Sequence, residues 1–333
     1  MASPARKREL GRGEKVRPGV WRLRLPLPWP GVPHGNAWAV AHGDGIVLFD
    51  TGIHEEGSWA ELERALSMVG LAVGDVRLLV CSHAHSDHYG QAAPITEAAG
   101  CELWMHPALD HLKGPASDPE AWLEARLEVA RQSGVPEAAL AAYREARKGQ
   151  GFSVAKIIDP DRPLREGMEI PSDLGSWRVI ETPGHAPSHL CFFEPEHRLL
   201  ISGDHLLGRV SPFYDYGYSD DPAGEFLRSL DKVEGLDARL CLSGHGRPFI
   251  DVGAHIEANR TLVRERIDNA LAAIAEQPLT ALEVQPHVHG QPANELTGNW
   301  WLSETLCYLL NLEREGKARR DGDAEDVERW VAT

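Results

Sequence analysis

The chain has 333 residues, 42% of them hydrophobic and 25% charged, which is ordinary for a globular protein large enough for one sizeable domain and a smaller one. Its formal net charge of −16 argues against a broad nucleic-acid-binding face or an anionic-membrane partner. No apolar run approaches the length of a membrane span, and the N-terminal "MASPARKRELGRGEKVRPG" has no apolar h-region of a secretory signal. Its mixed charge, Gly and Pro suggest a loose leader over residues 1–19, and the expected setting is cytoplasmic. The five cysteines are scattered; Cys81, Cys191 and Cys241 sit in apolar runs, which suits buried thiols better than a disulfide framework.

In chain order, "VWRLRLPL" (20–27), "NAWAVAHG" (36–43) and "GIVLFDTG" (45–52) read as consecutive strands. "SWAELERALSMVG" (58–70) has Trp59, Leu62, Leu66 and Val69 at helical spacing, with Ser58 as the expected cap and Gly70 as the stop. "VRLLVCSH" (76–83) then reads as a buried strand, "GQAAPITEAAG" as a helix and "CELWMH" (101–106) as another strand. Residues 107–160 differ: "DPEAWLEARLEVARQSG" and "VPEAALAAYREARKG" predict two helices, an insertion between sheet halves and a candidate lid. Strands return at "SWRVIETPG", "HLCFFEP", "RLLISGD" and "ARLCLSGHG". From residue 252 the pattern is helical, with Ile256, Val263, Ile267, Ala270 and Ile274 in one stripe, and the tail over 252–333 reads as a winged-helix-like module.

The chemistry concentrates in "SHAHSDHYG" (82–90), where His83, His85, Asp87 and His88 occupy six consecutive positions. In an extended segment, side chains two apart share a face, so His83 and His85 can point at one ion. Asp87 and His88 fall where the chain turns into a helix and can face a second ion. Three other predicted strands end on a potential ligand beside a glycine: His185 in "TPGHAPSH", Asp204 in "SGDHLL" and His245 in "SGHG". Imidazole and carboxylate are the donors that divalent zinc takes.

On these motifs, residues 20–251 resemble the metallo-β-lactamase-fold superfamily of hydrolases, and most closely its glyoxalase II and β-lactamase-2-like branch. The resemblance implies an α/β fold, a four-layer αββα sandwich. It implies that His83, His85 and His185 hold one metal and that Asp87, His88 and His245 hold a second, with Asp204 bridging. It also implies two divalent ions per chain, zinc first and Mn²⁺ or Fe²⁺ as alternatives, with Asp50 of "LFDTG" orienting a ligand imidazole. A hydroxide between two such ions would attack a carbonyl or phosphoryl centre, with Asp87 holding it and returning a proton. His205, Tyr214 and Tyr216 are expected substrate contacts, whereas His189, His34, His42, His54, His106 and His111 read as structural.

Substrate class is argued from charge. Residues 278–333 hold five Lys/Arg against ten Asp/Glu, a poor phosphate-tracking surface, so the tail suits packing or a homodimer contact. The insertion, with Trp122, Leu127, Tyr143 and Phe152, suits an apolar roof over a small substrate. Both favour a small ester, thioester or lactone. The alternatives are an endoribonuclease or phosphodiesterase using the same ions and, more remotely, an iron-dependent persulfide dioxygenase. A β-lactamase is disfavoured because Asp204 stands where a cysteine ligand would be expected.

Overall fold

The computed structural model describes residues 10–29, 31–149, 151–293, 298–321 and 327–333. Strands β1 (Arg12–Arg17), β2 (Val20–Trp29), β3 (Val32–His42) and β4 (Gly45–Phe49) form an antiparallel meander. Helix α1 (Ser58–Ser67) crosses to β5 (Val76–Cys81), parallel to β4. A single helical turn, α2 (Ser86–Tyr89), and helix α3 (Ala92–Ala99) lead to β6 (Glu102–Met105), again parallel. Three helices come next, α4 (Asp110–Ser117), α5 (Pro119–Gln132) and α6 (Glu137–Arg147), before the short β7 (Arg162–Pro163) completes a sheet in the order β1 to β7.

The second sheet contains β8 (Glu169–Ile170), β9 (Trp177–Glu181), β10 (Leu190–Glu194) and β11 (Leu199–Gly203), antiparallel in sequence. Helix α7 (Pro222–Glu234) crosses to β12 (Leu240–Ser243), parallel to β11. Helices α8 (Val252–Glu276), α9 (Ala281–His289) and α10 (Gly298–Arg314) and a ribbon of β13 (Ala318–Asp321) and β14 (Arg329–Ala332) end the chain.

Side-chain alternation turns these elements into layers. In β4, Val47 and Phe49 point to the second sheet, while Ile46 and Leu48 point outward to α1 and α3. In β10, Leu190 and Phe192 face the first sheet, while Cys191 and Phe193 face α7 and the C-terminal helices. Both strands are buried on both faces, so they read as continuous apolar runs rather than as alternation. The three clusters that result are the three interfaces of a four-layer αββα sandwich. The central one includes the Phe49 ring tilted against Trp177 and Phe192, with centroids 5.5 and 5.1 Å away.

Some local expectations are corrected. Arg12–Arg17, expected within a loose leader, pair with β2 as an edge strand, because a buried Gly13 lets the backbone pass against α1; residues 1–9 lie outside the described residues. Ser58 is the first helical residue rather than the cap: Gly57 takes that place with φ 83°, and the Ser58 hydroxyl accepts from the Glu55 amide. The insertion holds three helices rather than two. Its α5 is fixed at its far end, where the Ser133 and Gln132 carbonyls accept from the Leu282 and Glu328 amides of the C-terminal region. All five cysteines are free thiols. No described helix is long and apolar enough to cross a membrane.

Candidate metal centre

Four strand ends meet at one edge of the sandwich. β5 delivers His83 and His85, α2 turns Asp87 and His88 inward, and the loops after β9, β11 and β12 bring His185, Asp204 and His245. The turn off β5 is built by Asp50, whose carboxylate accepts from the Ser82 amide (2.7 Å), the Ser82 hydroxyl (2.9 Å) and His88 Nδ1 (2.9 Å). Asp50 itself has φ 63°, a conformation disfavoured by about 1–2 kcal/mol for a side chain of L configuration, and these bonds hold it there. Gly244 is required by space: a Cβ there would lie 2.2 Å from Asp204 Oδ1 and 2.7 Å from His88 Cε1.

All seven side chains singled out by the motifs come together. His83 Nε2, His85 Nδ1 and His185 Nε2 lie 2.9 to 3.3 Å from one another. Nitrogens placed tetrahedrally about 2.0–2.1 Å from one zinc ion would be about 3.3 Å apart. His245 Nε2 lies 3.1 Å from Asp87 Oδ2, and His88 Nε2 lies 3.4 Å from the same oxygen. Asp204 stands between the groups, with Oδ1 3.3 Å from His88 Nε2 and Oδ2 3.2 and 3.7 Å from His245 and His185 Nε2.

The far nitrogens decide what the near ones offer. His85 Nε2 donates to Asp215 Oδ2 (2.6 Å), His185 Nδ1 to the Phe213 carbonyl (3.0 Å) and His245 Nδ1 to the His34 carbonyl (3.0 Å). His88 Nδ1 donates to Asp50. The Ser82 hydroxyl proton is engaged by Asp50, so its oxygen accepts from His83 Nδ1 at 3.0 Å. In its neutral form each of the five imidazoles is thus the tautomer that turns a lone pair inward. Facing lone pairs without a proton or cation between them repel, and His88 Nε2 and Asp204 Oδ1 are buried without a hydrogen-bond partner. Divalent cations fit this donor set.

Charge separates the two groups. Burial pushes His83 well below the usual imidazole range, and burial and the neighbouring His85 bring His185 to about 4. Burial opposes protonation of His88 and His245 too, but Asp87 and Asp204 outweigh it, raising His88 well up and His245 to about 10. The same pairing overcomes burial to keep both carboxylates well below their ordinary range.

The substrate contacts fare differently. His205 points away from the cluster into the sheet–helix core, its ring 4.8 Å from Phe226, because adjacent strand-end residues face opposite ways. Tyr214 is fully buried, edge-on to Phe226 and Tyr308, so its ring is core. Tyr216 is half-buried and lines a cavity of about 830 Å³ that none of the seven side chains lines. His189 is structural: Nδ1 meets Thr182 Oγ1 at 2.8 Å and Nε2 accepts from the Asp204 amide at 3.1 Å.

Sequence reasoning missed Asp215 and Ser82, and it read His111 as structural. Asp215 sits between the two flagged tyrosines, with no local pattern to mark it. His111 of α4 lies beside His85, ring centroids 6.1 Å apart, with Nε2 3.3 Å from Ser188 Oγ. Tyr218 stands edge-on to His111 at 5.8 Å and accepts from Trp122 Nε1 at 3.3 Å. Trp122 and Phe152 pack together at 5.7 Å, whereas Tyr143 pairs with Arg147 on α6.

A four-layer sandwich with histidines and aspartates gathered at one edge defines a metal-binding hydrolase fold. The sequence profile of the metallo-beta-lactamase superfamily matches residues 30–245, and the chain belongs to that superfamily. It is 28% identical over 274 residues to the probable metallo-hydrolase YqjP of Bacillus subtilis, covering 80% of this chain and 83% of that protein. It is 25% identical to an atrochrysone carboxyl ACP thioesterase of Claviceps purpurea, over 87% of this chain and 78% of that one. Among solved structures, a metallo-beta-lactamase family protein of Thermus thermophilus superposes with a TM-score of 0.80 at 29% identity, covering 96% of this chain and all of that one.

Proposed function

We propose that this protein is a dinuclear metal-dependent hydrolase of a small ester, thioester or lactone. The observation that carries the reading is the convergence of five inward-turned imidazole nitrogens and two ionised carboxylates, with His88 Nε2 and Asp204 Oδ1 buried and unpartnered. His83, His85 and His185 would hold one ion, and Asp87, His88 and His245 the other, with Asp204 shared. When bound, such ions acidify water and polarise a scissile carbonyl. Nitrogen-rich donors suit zinc, with Mn²⁺ and Fe²⁺ as the alternatives to measure.

The chain's own groups supply the rest. Asp87 would hold the attacking water through the carboxylate oxygen not turned toward the ion and pass its proton on to the leaving group. His111, beside His85, and Tyr218, edge-on to His111, would meet the substrate's polar end. A cavity of about 520 Å³ next to α4, lined by Leu112, Phe152, Val154 and Ile157 together with Lys113 and Lys156 and by none of the seven ligands, would suit an acyl chain with an anionic end. The names of two relatives point the same way, the thioesterase above and a hydroxyacylglutathione hydrolase of Haemophilus influenzae, 24% identical over 60% of this chain and 82% of that one. The tail, with its helix order and terminal ribbon, is read as winged-helix-like and as a packing module.

The test is elemental analysis combined with a hydrolysis screen of thioesters, esters, lactones, phosphodiesters and RNA. About two ions per chain and turnover of a carbonyl substrate are expected. RNA as the sole substrate would replace this reading, and a single iron would point to oxidative chemistry.

A further inference from the structure

The segment from Phe213 to Asp221 is held by α10 through buried polar side chains. Ser303 Oγ donates to the Tyr214 carbonyl at 2.8 Å and accepts from the Tyr216 amide at 3.2 Å. One hydroxyl therefore engages the backbone on both sides of Asp215. Eight residues further along α10, Asn311 Nδ2 donates to Asp221 Oδ1 at 2.8 Å, at the start of α7. Between them, Tyr308 packs edge-on to the Tyr214 ring at 5.6 Å. Ser303 and Asn311 are each 5% exposed, so these bonds compete with no bulk water.

The strapped segment supports one group of histidines and not the other. It supplies Asp215 to His85 Nε2 and the Phe213 carbonyl to His185 Nδ1, and the Asp215 amide donates back to the His185 carbonyl at 3.2 Å. His88 and His245 lean instead on Asp50 and His34 of the first sheet. A partner that orients a metal-ligating imidazole typically sets 10–100-fold in affinity.

We infer that Ser303 of α10 is a positioning residue for the metal centre, pinning the backbone around Asp215 so that Asp215 holds His85 with Nδ1 turned inward. The C-terminal helix is thereby a working part of one ion site. The inference rests on the dinuclear reading above. Ser303 touches no ligand, and its effect passes through Asp215.

The experiment uses the full chain and stepwise zinc affinities from chelator competition, in the wild type, Ser303→Ala, Asp215→Ala and the double variant. Ser303→Ala should weaken one of the two ions by about tenfold and leave the other unchanged. In the Asp215→Ala background the same substitution should have little further effect. Ser303→Thr, which keeps the hydroxyl, should restore affinity, and Ser303→Cys, which keeps the volume, should lose it. In the zinc-loaded protein, solvent exchange of the His85 Nε2 proton should quicken in Ser303→Ala while that of His88 Nδ1 stays as in the wild type. Unchanged affinity in both Ser303→Ala and Ser303→Cys overturns the inference, as does an equal loss with and without Asp215. A wild-type chain that takes up no zinc at all sinks the dinuclear reading instead, which keeps the two failures distinct.

Discussion

The two halves of the candidate centre are supported from opposite sides of the molecule. His88 and His245 lean on Asp50 and on the His34 carbonyl of β3, part of the first sheet's rigid meander. His85 and His185 lean on Asp215 and the Phe213 carbonyl, in a loop that α10 straps down. Their electrostatics differ as well: the first pair faces two carboxylates, whereas His83 and His185 are held neutral mainly by burial. A nearly symmetrical set of ligands therefore has asymmetrical foundations, and the halves should fail separately.

The largest expected effect removes what both halves share. Asp204→Ala should release both ions and lower turnover by at least about 10³-fold, read by elemental analysis alongside the rate; retained activity would break its bridging role. Next comes Asp50→Ala, which strips three donors of their acceptor and frees His88 to rotate. A 10–100-fold loss in affinity for the ion at His88 is expected, with a smaller loss at the other ion through Ser82 and His83, and about 1–3 kcal/mol of stability from the unsatisfied buried donors. Chelator titration and thermal unfolding read the two parts. Asp215→Ala should cost a similar factor on the other ion only. If Asp50→Ala weakens the His85 ion as much as the His88 ion, the division into halves is wrong.

The last contrast is in pH. His245, at about 10, and His88, raised well above its usual value, carry protons in the ion-free chain at neutral pH. An ion entering between them must displace those protons, so its affinity should fall about tenfold per pH unit for each proton released as pH drops. Burial pushes His83 well down and His185 to about 4, so of that half only His85, raised by Asp215 against its burial, is shifted toward its protonated form, and fewer protons should be displaced there. Calorimetry in two buffers of different ionisation enthalpy should therefore show unequal proton release in the two binding steps. Equal release would remove the electrostatic contrast.

Much of the site was legible because its ligands lie just beyond buried strands. A run such as "VRLLVC" reads as a buried strand, and the residues after it then emerge at the sheet edge where the other strand ends lie. His205 and Tyr214 were misread for a complementary reason. Both are polar residues near a ligand, but facing is set by the local turn, and here the turn sends their rings to Phe226. Asp215 escaped notice because its partner, His85, is 130 residues away and no periodicity links them.

By itself the sequence determined the mixture of strands and helices, the clustering of His and Asp at strand ends and the kinship those motifs carry, with the four layers implied only by that kinship. The first two are local properties, written in short apolar runs and in the spacing of H-x-H-x-D-H. Only the tertiary structure decided which nitrogen of each imidazole turns inward, which tyrosines face core or cavity, and that α10 reaches the loop behind His85. Those outcomes depend on hydrogen-bond partners brought together by packing two sheets and their flanking helices, and pairings at such separations leave no trace in neighbouring residues.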